Sequence, residues 1–80
     1  ELEGISITLW STEDLVHAIY VAGDLYIKED VSKVFICTKE VEGKKKYHVV
    51  LSGIKNSAEA KKQIDEYERK GFMKVSIYKP

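Results

Sequence analysis

Cysteine is scarce in this 80-residue chain, with Cys37 as its single representative. One cysteine excludes a disulfide within the chain and a cysteine-based metal cluster. Cys37 lies in an apolar run, and no partner base follows it at a recognisable spacing. We therefore interpret Cys37 as a small core or sheet-face residue rather than a reactive thiol.

An excess of charge of one sign is also absent, because 13 lysines and arginines balance 13 aspartates and glutamates. Non-specific binding to nucleic acid or to an anionic membrane relies on a basic excess. The composition therefore disfavours both partners. The run Lys44-Lys45-Lys46 is a local basic concentration, which we interpret as a solvated hairpin turn.

Long hydrophobic runs and catalytic motifs are missing as well. No run approaches the roughly 18 apolar residues of a membrane helix, so we expect no membrane segment. His17 and His48 lack a metal-ligand spacing, and no glycine-rich phosphate loop or serine nucleophile motif is present. Asp65, Glu66 and Glu68 fall on a helix face where lysines and an arginine match them. We expect a protein that is not an enzyme and uses no cofactor or metal.

The composition is that of a folded protein, with 44% hydrophobic and 32% charged residues. The length suits one small domain over residues 1–80, with a two-layer core and no deep active site. The chain starts at Glu1 without a methionine or a leader-like segment. We interpret it as a domain of a longer protein.

The first part of the chain predicts a strand and a helix. Residues 5–10 alternate between apolar and polar, which is typical of a strand with one buried face. Its inward side chains are Ile5, Ile7 and Leu9, and its outward side chains are Ser6, Thr8 and Trp10. Residues 11–14 indicate a helix start, and Gly23 its C-terminal cap. The inward stripe is predicted as Leu15, Ile19 and Ala22, widened by Val16 and Tyr20. Residues 24–33 fit either a helix extension or a packed connection.

The second part predicts a hairpin, a helix and a last strand. Residues 34–41 and 46–54 form the hairpin arms around Glu42-Gly43-Lys44. Asn56, with Glu59 three residues later, predicts the second helix start. Its inward stripe is Ala60, Ile64 and Tyr67, and Gly71 ends it with Phe72 packing back. Residues 73–79 alternate again, with Val75 and Ile77 inward.

The order β-α-β-β-α-β predicts an α+β, ferredoxin-like fold with a four-stranded antiparallel sheet and two helices on one face. The other sheet face is left without a covering layer. Its predicted side chains are Ser6, Thr8, Trp10, Phe35, Cys37, Lys39, His48, Val50, Ser52, Lys74, Ser76 and Tyr78, with the face of Phe35 and Cys37 the least defined. This mixture suits stacking on sugar rings or bases, and equally suits an ordinary solvated sheet face.

Residues 46–53, KYHVVLSG, are followed by Asn56-Ser57-Ala58-Glu59-Ala60 and, after eleven residues, by Gly71-Phe72. This half of the chain resembles the SPOR domain, a sporulation-related repeat that binds peptidoglycan. The first half lacks the glutamine that the family usually carries on its first strand.

The resemblance implies a non-catalytic module that binds peptidoglycan glycan strands through its open sheet face, in a protein of the bacterial cell envelope. The implied ligand-binding residues are Thr8, Trp10, His48, Ser52 and Tyr78.

Two other functions fit the same fold. One is a protein-interaction or regulatory domain, including a self-associating one, that pairs through an edge strand or the open sheet. The other is an RNA-binding sheet module, which usually carries aromatic residues at two positions of the third strand. Here that strand offers Tyr47, which is predicted to point inward, and His48. Together with the zero net charge, this ranks RNA binding last.

Overall fold

The computed structural model describes residues 4–28 and 33–79. The elements are β1 (Ile5–Thr12), α1 (Leu15–Lys28), β2 (Val34–Val41), β3 (Lys44–Ile54), α2 (Ser57–Arg69) and β4 (Ser76–Ile77). The strands form one antiparallel sheet in the order β2-β3-β1-β4. The α+β, ferredoxin-like fold predicted from the order of elements is confirmed.

Local side-chain chemistry starts both helices. The Asp14 carboxylate accepts a hydrogen bond from Val16 N at 3.0 Å at the start of α1. At the start of α2, Asn56 Oδ1 accepts from Glu59 N at 2.9 Å, as the sequence predicts. The predicted end of the first helix at Gly23 is wrong, because α1 continues through it to Lys28. Of the ambiguous stretch 24–33, residues 24–28 are helical and residues 29–32 lie outside the described part.

The hairpin between β2 and β3 is confirmed, with a tighter turn than the sequence suggests. Val41 pairs with Lys44, so only Glu42 and Gly43 lie between the strands. Both have positive φ, 53° and 79°, as a two-residue turn of type I′ requires. The lysine run predicted in the turn belongs to β3 instead, because the two-residue turn lets pairing begin at Lys44.

The core lies between one sheet face and both helices, and Ile7, Leu9, Val49 and Leu51 supply its sheet side. From α2 it takes Ala60 and Tyr67, with Ile64 packed alongside as the sequence predicts. Gly71 has a φ of 107° after α2, and Phe72 turns back to donate its N–H to Tyr67 O at 3.1 Å. Val75 enters the core, whereas Ile77 is 44% exposed.

The first helix packs through a different face from the predicted one. Its buried residues are Ala18, Ala22 and Leu25, while Leu15 and Ile19 remain 43% and 53% exposed. The distance between packed elements depends on the side chains at their contact, and two alanines one turn apart permit a close approach to the sheet. The apolar residues assigned to the core therefore face outward, with the exception of Ala22.

Trp10 lies on the helix side of the sheet, which corrects the prediction that it points to the open face. Thr8 pairs with Val50 and Trp10 with Val49, so β1 carries an extra residue, Leu9, at this position. Such a β-bulge interrupts the alternation of side chains. Leu9 and Trp10 both pack toward the core, and Ser11 takes the outward position opposite His48.

Candidate functional site

Four of the five predicted ligand-binding residues lie on the sheet face away from the helices, and Trp10 does not. Thr8 and Ser52 are buried there, with 7% and 5% of their surface exposed. His48 and Tyr78 are half-buried on the same face. Because buried hydroxyls offer little surface to a sugar ring, only His48 and Tyr78 of these four residues present accessible surface on this face.

Tyr78 reaches across this sheet face. Its backbone N–H donates to Ser6 O on β1 at 2.8 Å. Its ring centroid lies 6.1 Å from that of His48 on β3 and 4.7 Å from Lys39 Nζ on β2. Tyr78 is held to β1 by its backbone and contacts side chains of β2 and β3, so its ring lies over the sheet face that these strands form. The expected uncovered sheet is therefore partly covered by its own chain.

The registers place Phe35 and Cys37 on this same face, since they pair with Val50 and His48 while Val34 and Ile36 pack toward the core. Cys37 is half-buried and hydrogen-bonded to the Tyr78 side chain. A thiol that is hydrogen-bonded to Tyr78 fits the predicted role of Cys37 as a sheet-face residue.

Hydrogen bonds, burial and nearby charges determine the protonation of the polar groups around Tyr78. Ser11 Oγ and His48 Nδ1 form a hydrogen bond of 2.7 Å. Burial, followed by the positive charges of Lys39 and Lys46, lowers the pKa of His48 from 6.5. Burial also raises the pKa of Tyr78, and its hydrogen bond with Cys37 contributes to the rise. At neutral pH the face therefore presents a neutral imidazole and a protonated phenol.

On the opposite side of the sheet, Trp10 lies between α1 and the turn after α2. Its ring meets those of His17 at 5.3 Å and Phe72 at 6.5 Å, both edge-on. Its Nε1 is buried and has no hydrogen-bond partner among the described residues. Two clefts of about 250 and 210 Å³ flank it. Both are below the roughly 300–1,000 Å³ of ordinary ligand pockets.

The most exposed apolar surface is on α1. Six large apolar side chains project from this 14-residue helix into solvent: Leu15 (43% exposed), Val16 (58%), Ile19 (53%), Tyr20 (72%), Tyr26 (44%) and Ile27 (84%). They recur at spacings of three, four and seven residues, which places them on neighbouring rows of one helix. We call this surface the α1 face.

The α1 face is larger than a small monomer needs to leave exposed. At the observed exposures its six side chains present on the order of 700 Å². The largest apolar patch of a typical monomer is about 300–600 Å² and often functional. The charged residues of α1 are only Asp24 and Lys28, so the surface is depleted in charge as the centres of protein interfaces are.

The sequence contains a signal for this face that our assignment of the helix stripe missed. Apolar residues occur nearly all around α1, more than one core-facing side needs. Ala18, Ala22 and Leu25 already form a complete inward stripe. The remaining apolar residues of α1 other than Val21 then keep 43–84% of their surface in solvent.

No family model, curated protein or solved structure matches the chain. The SPOR resemblance therefore remains a prediction. Among residues 4–28 and 33–79, no three His, Cys, Asp or Glu side chains are grouped so that they could hold a metal ion. None of the helices formed by those residues is long and apolar enough to cross a membrane.

Proposed function

We propose that this domain is a protein-interaction module that docks onto its partner through the α1 face. The observation that carries the proposal is the outward projection of six large apolar side chains from one helix. At about 25 cal/mol per Å², covering such a surface supplies a strong driving force for association. The cost of leaving it in water explains why a partner is needed.

The shape of the α1 face also defines the partner's chemistry. A helix that presents apolar residues three, four and seven positions apart fits an apolar groove or the apolar stripe of another helix. Tyr20 and Tyr26 combine large contact area with a hydroxyl that stays hydrogen-bonded at the rim, which is why tyrosine is enriched in interfaces. The expected partner surface is therefore apolar at its centre and polar at its edge.

A photocrosslinking experiment tests this function. A photoreactive phenylalanine replaces Tyr20 or Ile27 on the α1 face, or Val41 on β2 as a control that is 52% exposed and apolar but lies off the face. Each variant is irradiated alone and in an extract of the source cell, and adducts are identified by mass spectrometry. We expect one defined protein adduct from both α1 positions and none from position 41. Equal labelling at all three positions, or no adduct at all, would refute the proposal.

Glycan binding through the sheet face is a second candidate, supported by the cluster of Tyr78, His48, Ser11 and Lys39. A half-buried tyrosine ring beside an imidazole, a hydroxyl and an ammonium group provides stacking and hydrogen bonds for a sugar. This cluster shares His48 and Tyr78 with the site that the SPOR resemblance implies.

Sedimentation with insoluble peptidoglycan sacculi tests the second candidate. We expect wild-type protein to sediment with sacculi, Tyr78→Ala to remain in solution, and Tyr78→Phe, which keeps the ring, to sediment. Tyr20→Ala on the α1 face is the matched control and should sediment like wild type. No sedimentation of the folded wild type would exclude glycan binding and leave the protein-interaction proposal untouched.

A further inference from the structure

We infer that the partner of the α1 face is a second copy of this chain, with the two α1 helices packed antiparallel about a twofold axis. This inference rests on the proposed function, since it names the occupant of the same surface. Two observations support it: a glycine in the middle of the face and the size of the face.

Gly23 lies in the centre of α1, where the helix backbone does not require a glycine. Its φ is not in the left-handed region, and a Cβ added to it would meet no atom of residues 4–28 and 33–79 within 4 Å. A glycine in a helix interior costs about 1 kcal/mol relative to alanine. Because the fold itself gains nothing from this residue, close approach of another molecule explains why a side chain is missing here.

The side chains around Gly23 form a pocket, where the glycine lacks a side chain, that can accept a large side chain. Ile19, Tyr20, Tyr26 and Ile27 lie three or four residues away along the helix, so they surround the glycine on the α1 face. The result is an apolar notch with a bare backbone floor. Tyr20, which is 72% exposed at the edge of this notch, is a side chain of suitable size to fill the same notch in a second copy.

An antiparallel pair of α1 helices satisfies these contacts reciprocally. When Tyr20 of each copy lies against Gly23 of the other, the midpoint of the pair falls halfway between the two residues. Val16 and Ile27 are equally far from that midpoint, so Val16 of each copy also meets Ile27 of the other. A twofold interface requires this self-complementarity, in which each contact occurs twice.

The dipoles of the two helices are opposed in the same arrangement. Antiparallel packing aligns the positive end of each helix dipole with the negative end of its neighbour, which is favourable.

The size of the face agrees with a specific dimer. Two copies of a surface on the order of 700 Å² bury at most about 1,400 Å² in total, within the 1,600 ± 400 Å² range of standard interfaces.

Sedimentation equilibrium of the full chain over a wide concentration range tests the inference, together with Gly23→Gln. Glutamine is a better helix former than glycine, and its Cβ meets no atom of the described residues, so it should raise folding stability. It fills the notch, so we expect the dimer affinity to fall at least about tenfold. Val41→Gln places the same amide off the face and should leave association unchanged. Association that Gly23→Gln does not weaken would overturn the proposed packing.

The photocrosslinking experiment separates the failure of this inference from the failure of the proposed function. A self-adduct at position 20 supports the dimer. An adduct with a different protein, from a chain that sediments as a monomer, overturns the dimer and retains the docking role of the α1 face. A monomeric chain without any adduct overturns both.

Discussion

Replacing Trp10 distinguishes the observed position of its ring from the position on the open sheet face that strand alternation predicts. In the structure the indole packs against the core, with edge-on contacts to His17 and Phe72. A buried tryptophan or phenylalanine costs about 3–5 kcal/mol when cut back to alanine. Because Trp10 is not fully enclosed, we expect Trp10→Ala to lose about 2–3 kcal/mol. A domain of this size has only about 4–12 kcal/mol of stability in total.

Urea unfolding followed by far-ultraviolet circular dichroism measures this loss without relying on the tryptophan itself. Trp10→Phe is the matched control, because it keeps a ring beside Phe72 and removes the buried Nε1 that has no partner among the described residues. An unpaired buried N–H costs about 1–3 kcal/mol, which offsets much of the lost contact area, so Trp10→Phe should change stability by less than about 1 kcal/mol. If Trp10→Ala costs under about 0.5 kcal/mol, the ring is a surface group and our placement is wrong.

Three further predictions concern single residues of the described fold. Gly53→Ala should destabilise the domain by about 1–2 kcal/mol in urea unfolding, because φ of Gly53 is 77°, where the β1–β3 register shifts between Ile5 and Ile7. An unchanged midpoint would refute this. Asn56→Ala should cost about 1 kcal/mol in the same assay by removing the hydrogen bond to Glu59 N, while Asn56→Asp, which keeps an acceptor, should cost less. His48 has a lowered pKa, so below pH 6.5 the unfolded chain binds a proton more readily at this residue than the folded chain does. The free energy of unfolding therefore decreases as the pH falls, until the folded-state pKa is passed. Thermal melts of His48→Gln between about pH 7 and 5 should lack this component, and parallel curves for both proteins would contradict it.

The fold class could be predicted because each element depends on residues that are close in sequence. Asn56 and Glu59 define the start of α2 through a bond within one turn, and Gly43 permits the positive φ that a two-residue turn needs. Apolar alternation identified β1 and the hairpin arms. Once six elements are placed in the order β-α-β-β-α-β, right-handed crossovers leave few topologies.

The positions of the two surfaces that matter for function were decided by tertiary structure. Strand alternation gave no sign of the bulge at Leu9, because an inserted residue is visible only when β1 is aligned with β3. That single residue removes Trp10 from the sheet face and brings Ser11 to His48. The reach of Tyr78 over Lys39 and His48 likewise depends on strands distant in sequence.

The rotation of α1 about its axis was likewise decided by packing and not by the sequence of the helix. Its sequence determines a helix that is apolar on most sides, and such a pattern is compatible with several rotations about the helix axis. Packing selects the rotation that brings Ala18 and Ala22 against the sheet. That choice leaves Tyr20 and Ile27 in solvent around Gly23. The sequence by itself therefore determined the elements and their order, whereas long-range packing decided which side chains the folded domain presents to a partner.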